Sequence, residues 1–305
     1  MTWFLLKRLF HGLAVLWVVA TLTFVLLRVA PGGPFDRERK LPAEVIANLQ
    51  AKYHLDEPFL QQYLRYLKGV IAGDLGPSYK YLDRGVDEII AETLPTSAVL
   101  GLLAFVFALA VSLPAGLIAA YYRDTWIDRV CMLIATLGIS VPHFILGALL
   151  IWGVALQLGW LPAGRWGHPS SAILPTLTLG AAPAAYLSAL FRSSLVDALG
   201  EDFVRTARAK GLKESVVLLK HALSHSLIPA LTVMGPLAAA LLTGSFVIEY
   251  VFAIPGMGRF FITAVTDRDY PMIMGVTLVY TVLLVCANLA VDLLYGYVDP
   301  RIRTE

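Results

Sequence analysis

The chain has 305 residues, 58% of them hydrophobic and 15% charged, with a formal net charge of +2 and a mean hydropathy of +0.71. This is more apolar and less charged than soluble domains, so a polytopic membrane protein is expected, and so small a net charge argues against a nucleic-acid partner. Cys131 and Cys286 both fall inside apolar runs and read as small hydrophobes rather than as a disulfide framework.

A bilayer core of about 30 Å needs about 20 mostly apolar residues per helix. Six runs qualify: 9–30, 97–121, 130–158, 172–196, 227–248 and 272–298. The first follows Lys7 and Arg8. It is longer than a signal-peptide core and ends at Arg28, where a cleavage site wants small neutral residues, so it reads as an uncleaved first span (1–30).

Residues 31–93 form the one long polar connection. Within it Val45, Ile46, Leu49 and Tyr53, then Phe59, Leu60, Tyr63, Leu64, Leu67 and Ile71, recur at helical spacing. Two short amphipathic helices are expected there, packed on the bundle as an external cap because alone they bury too little core. Residues 94–305 hold the other five spans.

In the third run, Pro142 removes a backbone donor and predicts a kink, and His143 beside it is a costly polar group within an apolar span. A hydrogen bond to a neighbouring helix is the cheaper account of that histidine, and a place on a substrate path is the other. Spans two, three and five carry no Asp, Glu, Lys or Arg in their interiors, and Asp292 sits near the end of span six. An ion-coupled carrier retains such charges, so coupling energy is expected from elsewhere. No Gly is followed by Lys, which excludes a P-loop in this chain, and there is no G-x-S-x-G elbow. Neither a nucleotidase nor a serine hydrolase is supported, and no enzyme is expected.

Between spans four and five lies a charged connection, 197–226. A short helix from Glu201 to Lys210 is expected to end at Gly211, which tolerates the positive φ of a tight reversal. After it Leu212, Val216 and Leu219 recur at i, i+4 and i+7, with Lys213, Glu214 and Lys220 on the other side. Such a stripe suits either an anionic membrane surface or a protein groove. His221 and His225 share a helical face, but the Glu and the third ligand of a zinc site are missing.

Lys and Arg divide unevenly between the two sides. Lys7, Arg8, Arg123, Arg129, Arg192, Arg205, Arg208, Lys210, Lys213, Lys220, Arg301 and Arg303 fall on one, against Arg165, Arg259 and Arg268 in the short loops of the other. The positive-inside rule therefore predicts that both termini and the 197–226 connection are cytoplasmic; the long 31–93 loop escapes the rule and is external.

"RTARAKGL" followed by "HAL" resembles the cytoplasmic loop of ABC importer permeases, whose pattern is E-A-A, three residues, Gly, nine residues, I-x-L-P. Arg205, Thr206 and Ala207 stand at the E-A-A positions, Gly211 at the glycine, and His221, Ala222 and Leu223 at I-x-L, with Ser224 in place of the proline. Arg-Thr for Glu-Ala is the form of the family's peptide and nickel branch. "LRVAPGGPF", "GDLGPSYKY", "PHFILG", "EYVFAIPGMG" and "DLLYGYVDPRIR" resemble the same branch. "LPAEVIANLQAKYHLDEP" resembles the first membrane subunit of the oligopeptide permease.

The resemblance implies an all-helical type I importer permease forming half of a peptide path in a bacterial inner membrane. Its implied partners are a second permease, two ATPases that bind ATP and Mg, and an external solute-binding protein, with no cofactor in this chain. It also implies an ATPase-docking set: Arg205, Thr206, Ala207, Arg208, Gly211, Leu212, Val216, His221, Ala222 and Leu223. Ala207 and Gly211 would keep the reversal close-packed, while Leu212 and Val216 would enter the partner's groove. Candidates for the translocation path are Pro142, His143, Pro255, Gly256 and Gly258. A permease of the same family for dipeptides, nickel or another solute, an ion-coupled secondary carrier, and a membrane scaffold with no transport, which would leave the outer loop and the Gly/Pro-interrupted spans unexplained, are the alternatives.

Overall fold

A computed structural model of the chain describes residues 2–35, 42–81, 83–242 and 244–298. Part of the 31–93 cap, Arg301, Arg303 and the end of the "DLLYGYVDPRIR" motif lie outside them. The described residues form mainly helices joined by turns and loops: α1 (Thr2–Val29), α2 (Ala43–Lys52), α3 (Phe59–Ala72), α4 (Val86–Tyr121), α5 (Trp126–Ser140), α6 (His143–Leu150, continued by a π-helical segment, Ile151–Gln157) and α7 (Ile173–Gly200). There follow α8 (Asp202–Ala209), the single turn α9 (Glu214–Val216) with a π-helical segment Val217–Ala222, α10 (Leu223–Leu242), α11 (Phe246–Val251), α12 (Met257–Asp267) and α13 (Tyr270–Val298). Five helical segments are long and apolar enough to cross a membrane, and the α5–α6 pair makes a sixth if it is one span.

Two spans depart from the sequence expectation, and in a third the kink expected at Pro142 is a sharp bend. The run 130–158 is not one straight helix: α5 and α6 are bent by 103°. Proline forces the residue before it out of the helical region, and Val141 is extended at φ −81°, ψ 120°. The Pro142 carbonyl then accepts from the amides of Ile145 and Leu146 at 3.0 and 3.1 Å, starting α6 afresh. The run 227–248 is also interrupted, α10 ending at Leu242 and α11 beginning at Phe246, where the Ser245 hydroxyl accepts from the Ile248 amide at 3.4 Å. Conversely α4 starts at Val86 rather than 97 and runs through residue 93, where the cap was expected to end. Asp87 and Glu88 in its first turn complement the helix dipole, and Arg84 reaches back to Glu92 at 2.6 Å.

The chain divides into two compact units. The first comprises residues up to Thr96 together with Pro255–Val285; the second comprises Ser97–Ile254 and residues from Cys286 onward. In unit one α3 lies on α1: the Phe24 ring, fully buried, meets Phe59, Tyr63 and Tyr66 at centroid distances of 5.4, 5.3 and 5.5 Å. The predicted amphipathic helices therefore exist as α2 and α3, with α3 held to the first span by aromatic contact.

The "GDLGPSYKY" stretch closes around Asp269. Its buried carboxylate accepts from the Ser78 hydroxyl and from the amides of Tyr79 (3.1 Å), Lys80 (3.3 Å) and Met272 (3.3 Å). Next to it the Arg268 guanidinium and the Tyr270 hydroxyl donate to the carbonyls of Gly33 (3.2 Å) and Gly32 (3.1 Å) in "LRVAPGGPF". Segments far apart in sequence are thus tied together by satisfied backbone groups.

In unit two α7 is the central element, burying residues from Leu174 to Ala198. Small residues let its neighbours come close: a Cβ on Gly116 of α4 would fall 2.6 Å from the Phe191 Cβ. Leu100, Leu174, Leu179, Leu241, Ile248 and Phe252 form one core of this unit. A second gathers Ala120, Leu195, Ala198, Val204, Ala207, Val217, Leu218 and Ala222.

Candidate functional site

The 197–226 connection is an amphipathic hairpin whose two faces have different fates. Glu201 is extended (φ −73°, ψ 155°) and starts α8, with Asp202 in the first turn and Arg208 in the last, both favoured by the dipole. The helix ends at Lys210 in a Schellman arrangement: Gly211 N donates to Arg208 O at 2.9 Å and Leu212 N to Ala207 O at 3.4 Å. Gly211 takes φ +74°, as the expected reversal requires. A Cβ there would meet nothing within 4 Å, so a substitution at Gly211 is opposed by backbone conformation and not by crowding.

The inner face is part of the protein's own core. Val204, Ala207, Val217, Leu218 and Ala222 are buried against Ala120 of α4 and Leu195 and Ala198 of α7. The Phe203 ring lies 4.4 Å from that of His225, which fastens α8 to α10. Of the residues expected to dock an ATPase, Ala207 and Ala222 thus serve packing inside this chain, and His221 and Leu223 are half-buried.

The outer face carries the rest. Arg205, Thr206, Arg208 and Gly211 are exposed, and Leu212, Val216 and Leu219 are 39%, 37% and 57% exposed. The predicted apolar stripe is therefore present and free on the surface of the chain. Lys210, Lys213 and Lys220 are exposed around it.

The two arginines are less free than the sequence suggests. Arg205 pairs with Asp202 at 3.3 Å, and Arg208 pairs with Glu214 at 2.6 Å, clasping the hairpin across its reversal. The hydrogen bond from Arg208 holds the Glu214 carboxyl below its ordinary range. A carboxyl depressed in the folded state contributes stability above its unfolded pKa of about 4.3 and loses it as pH falls through the folded value. The pair is half exposed, so its contribution is at most about 1 kcal/mol. Hydrogen exchange at Gly211 and Leu212, corrected for intrinsic rates, is expected to show constant protection from neutral pH to about 5 and a several-fold loss below about 4. Glu214→Gln should abolish that pH dependence.

Sequence reasoning missed a second feature. Asp128, in the first turn of α5, accepts from both Arg192 Nε (2.5 Å) and Arg192 Nη2 (2.6 Å), and from the Asp124 amide at 3.0 Å. The Asp128 side chain is 5% exposed and that of Arg192 25%. Arg192 had been counted only as a cytoplasmic positive charge. Its place inside an apolar run was the available signal, since an arginine there needs an acceptor.

The path candidates fall in different units. Pro142 and His143 stand exposed at the α5–α6 bend in unit two. In unit one Gly256 and Gly258 are buried at the start of α12 while Pro255 is exposed. Among the described residues no group of three His, Cys, Asp or Glu side chains is placed to hold a metal.

Long apolar helices, some bent or interrupted, with a charged hairpin packed on the ends of α4 and α7, are those of a multi-span membrane protein. The model for the binding-protein-dependent transport system inner membrane component matches residues 112–304, and that for the N-terminal part of such membrane components matches 1–101. The dipeptide transport system permease protein DppB of Bacillus subtilis is 46% identical over 300 residues, covering 98% of this chain and 97% of the relative. The oligopeptide transport system permease protein OppB of Haemophilus influenzae is 42% identical over 302 residues, covering 98% and 99%. Among solved structures, a chain of the MetNI methionine ABC transporter in an inward-facing conformation shares the fold, with a TM-score of 0.59 at 17% identity over 69% of this chain and 96% of that one. The chain belongs to the family of binding-protein-dependent transport system inner membrane components.

Proposed function

We propose that this permease forms half of the translocation path of an ATP-driven importer of short peptides. A second, related permease supplies the other half, two cytoplasmic ATPases carrying ATP and Mg supply the energy, and an external solute-binding protein delivers the cargo. Both termini and the α8–α9 hairpin lie on the cytoplasmic side, and this chain itself catalyses no reaction. The reading of the cargo is supported by relatives named for dipeptide and for oligopeptide transport, which align over nearly the whole chain.

The observation that carries the coupling role is the division of the hairpin. Its inner face is fixed in the core with α4 and α7, and its outer face leaves Leu212, Val216 and Leu219 uncovered among basic residues. A partner that seats this stripe in an apolar groove moves α7 with it, because Val204 and Ala207 pack on Leu195 and Ala198. Nucleotide-driven closure of two ATPases then becomes a shift between outward- and inward-open states.

The test is gentle solubilisation from the native membrane with identification of what co-purifies, for the wild type and for Gly211→Asp. A second permease and ATPase subunits should accompany the wild type, and the ATPases should be lost from the variant while the permeases remain paired. A chain that purifies alone in both forms, with uptake sustained by an ion gradient, would overturn the proposal in favour of a secondary carrier.

A further inference from the structure

Unit one contains two adjoining hollows, one apolar and one of mixed lining. One, of about 330 Å³, is an apolar groove between Leu16 and Trp17 of α1, Leu67 and Ile71 of α3, and Leu278 and Val282 of α13. The other, of about 300 Å³, has a mixed lining in which Arg28, Gln62, Tyr66 and Tyr79 bring polar groups beside Leu75 and Met274. Leu75 borders both, and α1 and α3 contribute to both.

Arg28 stands at the end of the span Leu6–Val29, at the boundary between hydrocarbon and water. Its guanidinium is held firmly. Nε donates to Gln62 Oε1 at 3.1 Å, and Cζ lies 4.3 Å from the Phe24 ring centroid and 5.6 Å from that of Tyr270. Gln62 is itself fixed by donating to the carbonyls of Leu55 (3.1 Å) and Glu57 (2.8 Å). Yet Arg28 Nη1 is buried with no hydrogen-bond partner, and so is the Tyr66 hydroxyl, on the same hollow.

Among the described residues no carboxylate pairs with Arg28. Glu57 is engaged by Arg65 (2.5 Å) and His54 (3.0 Å), and the Asp74 carboxylate, on the same hollow, accepts from the Gly76 amide at 2.9 Å. Arg28 is half-buried, but its Nη1 is shut away from water with no counter-charge beside it, which is costly, and orphaned buried donors call for a partner. Two oriented donors beside an apolar groove fit a ligand with an anionic oxygen head and a hydrocarbon tail. Trp17 lies eleven residues before Arg28, about 16 Å along the helix, close to the depth of one leaflet's hydrocarbon.

We infer that unit one binds an anionic glycerophospholipid, its phosphate against Arg28 and Tyr66 and one acyl chain along the groove of Leu16, Trp17, Ile71 and Val282. Arginine suits a phosphate because its planar donors match the oxygen geometry. The lipid neutralises the charge and covers the exposed Trp17 and Ile71, tying α3 to the first span.

The experiment offers the permease, purified with whatever partners it carries, equal amounts of phosphatidylglycerol and phosphatidylcholine with identical chains, and counts retained lipid by native mass spectrometry. The wild type is expected to favour phosphatidylglycerol by about fivefold, and Arg28→Gln to fall to parity. Tyr66→Phe, which keeps the charge and the ring, should lower the total lipid retained by about threefold, because both lipids carry the phosphate it contacts. Inorganic phosphate and chain-free glycerol 3-phosphate should not displace the lipid. Parity in the wild type, as when a second permease covers the groove, would overturn the inference, as would a preference surviving in Arg28→Gln or displacement by the chain-free phosphates. If Arg28→Gln does not accumulate, the wild-type ratio and Tyr66→Phe decide.

Discussion

Leu212→Asp and Val216→Asp are each expected to cut ATP-dependent peptide uptake by about thirtyfold while leaving the permease in the membrane at wild-type abundance. Both side chains are more than one-third exposed in the isolated chain, so neither substitution removes a core contact. In the proposed complex the same positions lie inside an apolar groove, where an unpaired carboxylate costs about 2 kcal/mol or more, equivalent to about thirtyfold in binding. Two controls separate docking from folding. Arg205→Ala disturbs only an exposed pair with Asp202 and should change uptake less than about threefold. Ala207→Asp puts a charge into the core shared with Leu195 and Ala198 and should reduce the amount of permease itself. Uptake of a labelled peptide into right-side-out vesicles loaded with ATP, normalised to permease content, reads all four. Unchanged uptake in both stripe variants would remove the stripe from the coupling mechanism.

Much of this architecture was legible because lipid imposes a simple rule: a span needs about 20 apolar residues and its ends need charge. Where the structure departs from that reading, local chemistry outweighed average hydropathy. The first turns of α4 were invisible because Asp87, Glu88 and Glu92 fall outside any apolar window, although they suit a helix start. Pro142 announced a kink, but its angle depends on what the far arm packs against. Gly147 on α6 sits where a Cβ would lie 3.2 Å from both Phe252 and Thr178. Such long-range contacts leave no period in the sequence.

The hairpin illustrates the same division. The reversal at Gly211 and the stripe of Leu212, Val216 and Leu219 follow from residue type and helical spacing, and the structure presents them so. What spacing does not reveal is which alanines of the motif face inward. Ala207 and Ala222 look alike in sequence to surface alanines, and only the arrival of α4 and α7 buries them. The family pattern marks Ala207 through its E-A-A position, whereas Ala222 stands at an unspecified one. Their small size is explained by a core in which α8 lies directly on the ends of two spans.

Asp128→Ala is expected to destabilise unit two by about 3 kcal/mol, and the cause lies 64 residues away in sequence. The pair with Arg192 is bidentate, at 2.5 and 2.6 Å, and the carboxylate is almost fully enclosed. Removing it leaves a guanidinium three-quarters covered with no acceptor, and that desolvated charge sets the cost. The paired variant Asp128→Leu with Arg192→Met should therefore recover most of the loss, because no charge is stranded. Thermal unfolding in detergent of the wild type, Asp128→Leu, Arg192→Met and the double variant forms the cycle that measures the coupling. Additive single effects would show that the two side chains do not depend on each other. The pair also joins α5 to α7 two turns before the hairpin, in the same helix whose Leu195 and Ala198 support α8. A force applied to the hairpin reaches the α5–α6 bend through this contact. The double variant, stable but lacking the link, is thus expected to bind its partners normally and to transport more slowly.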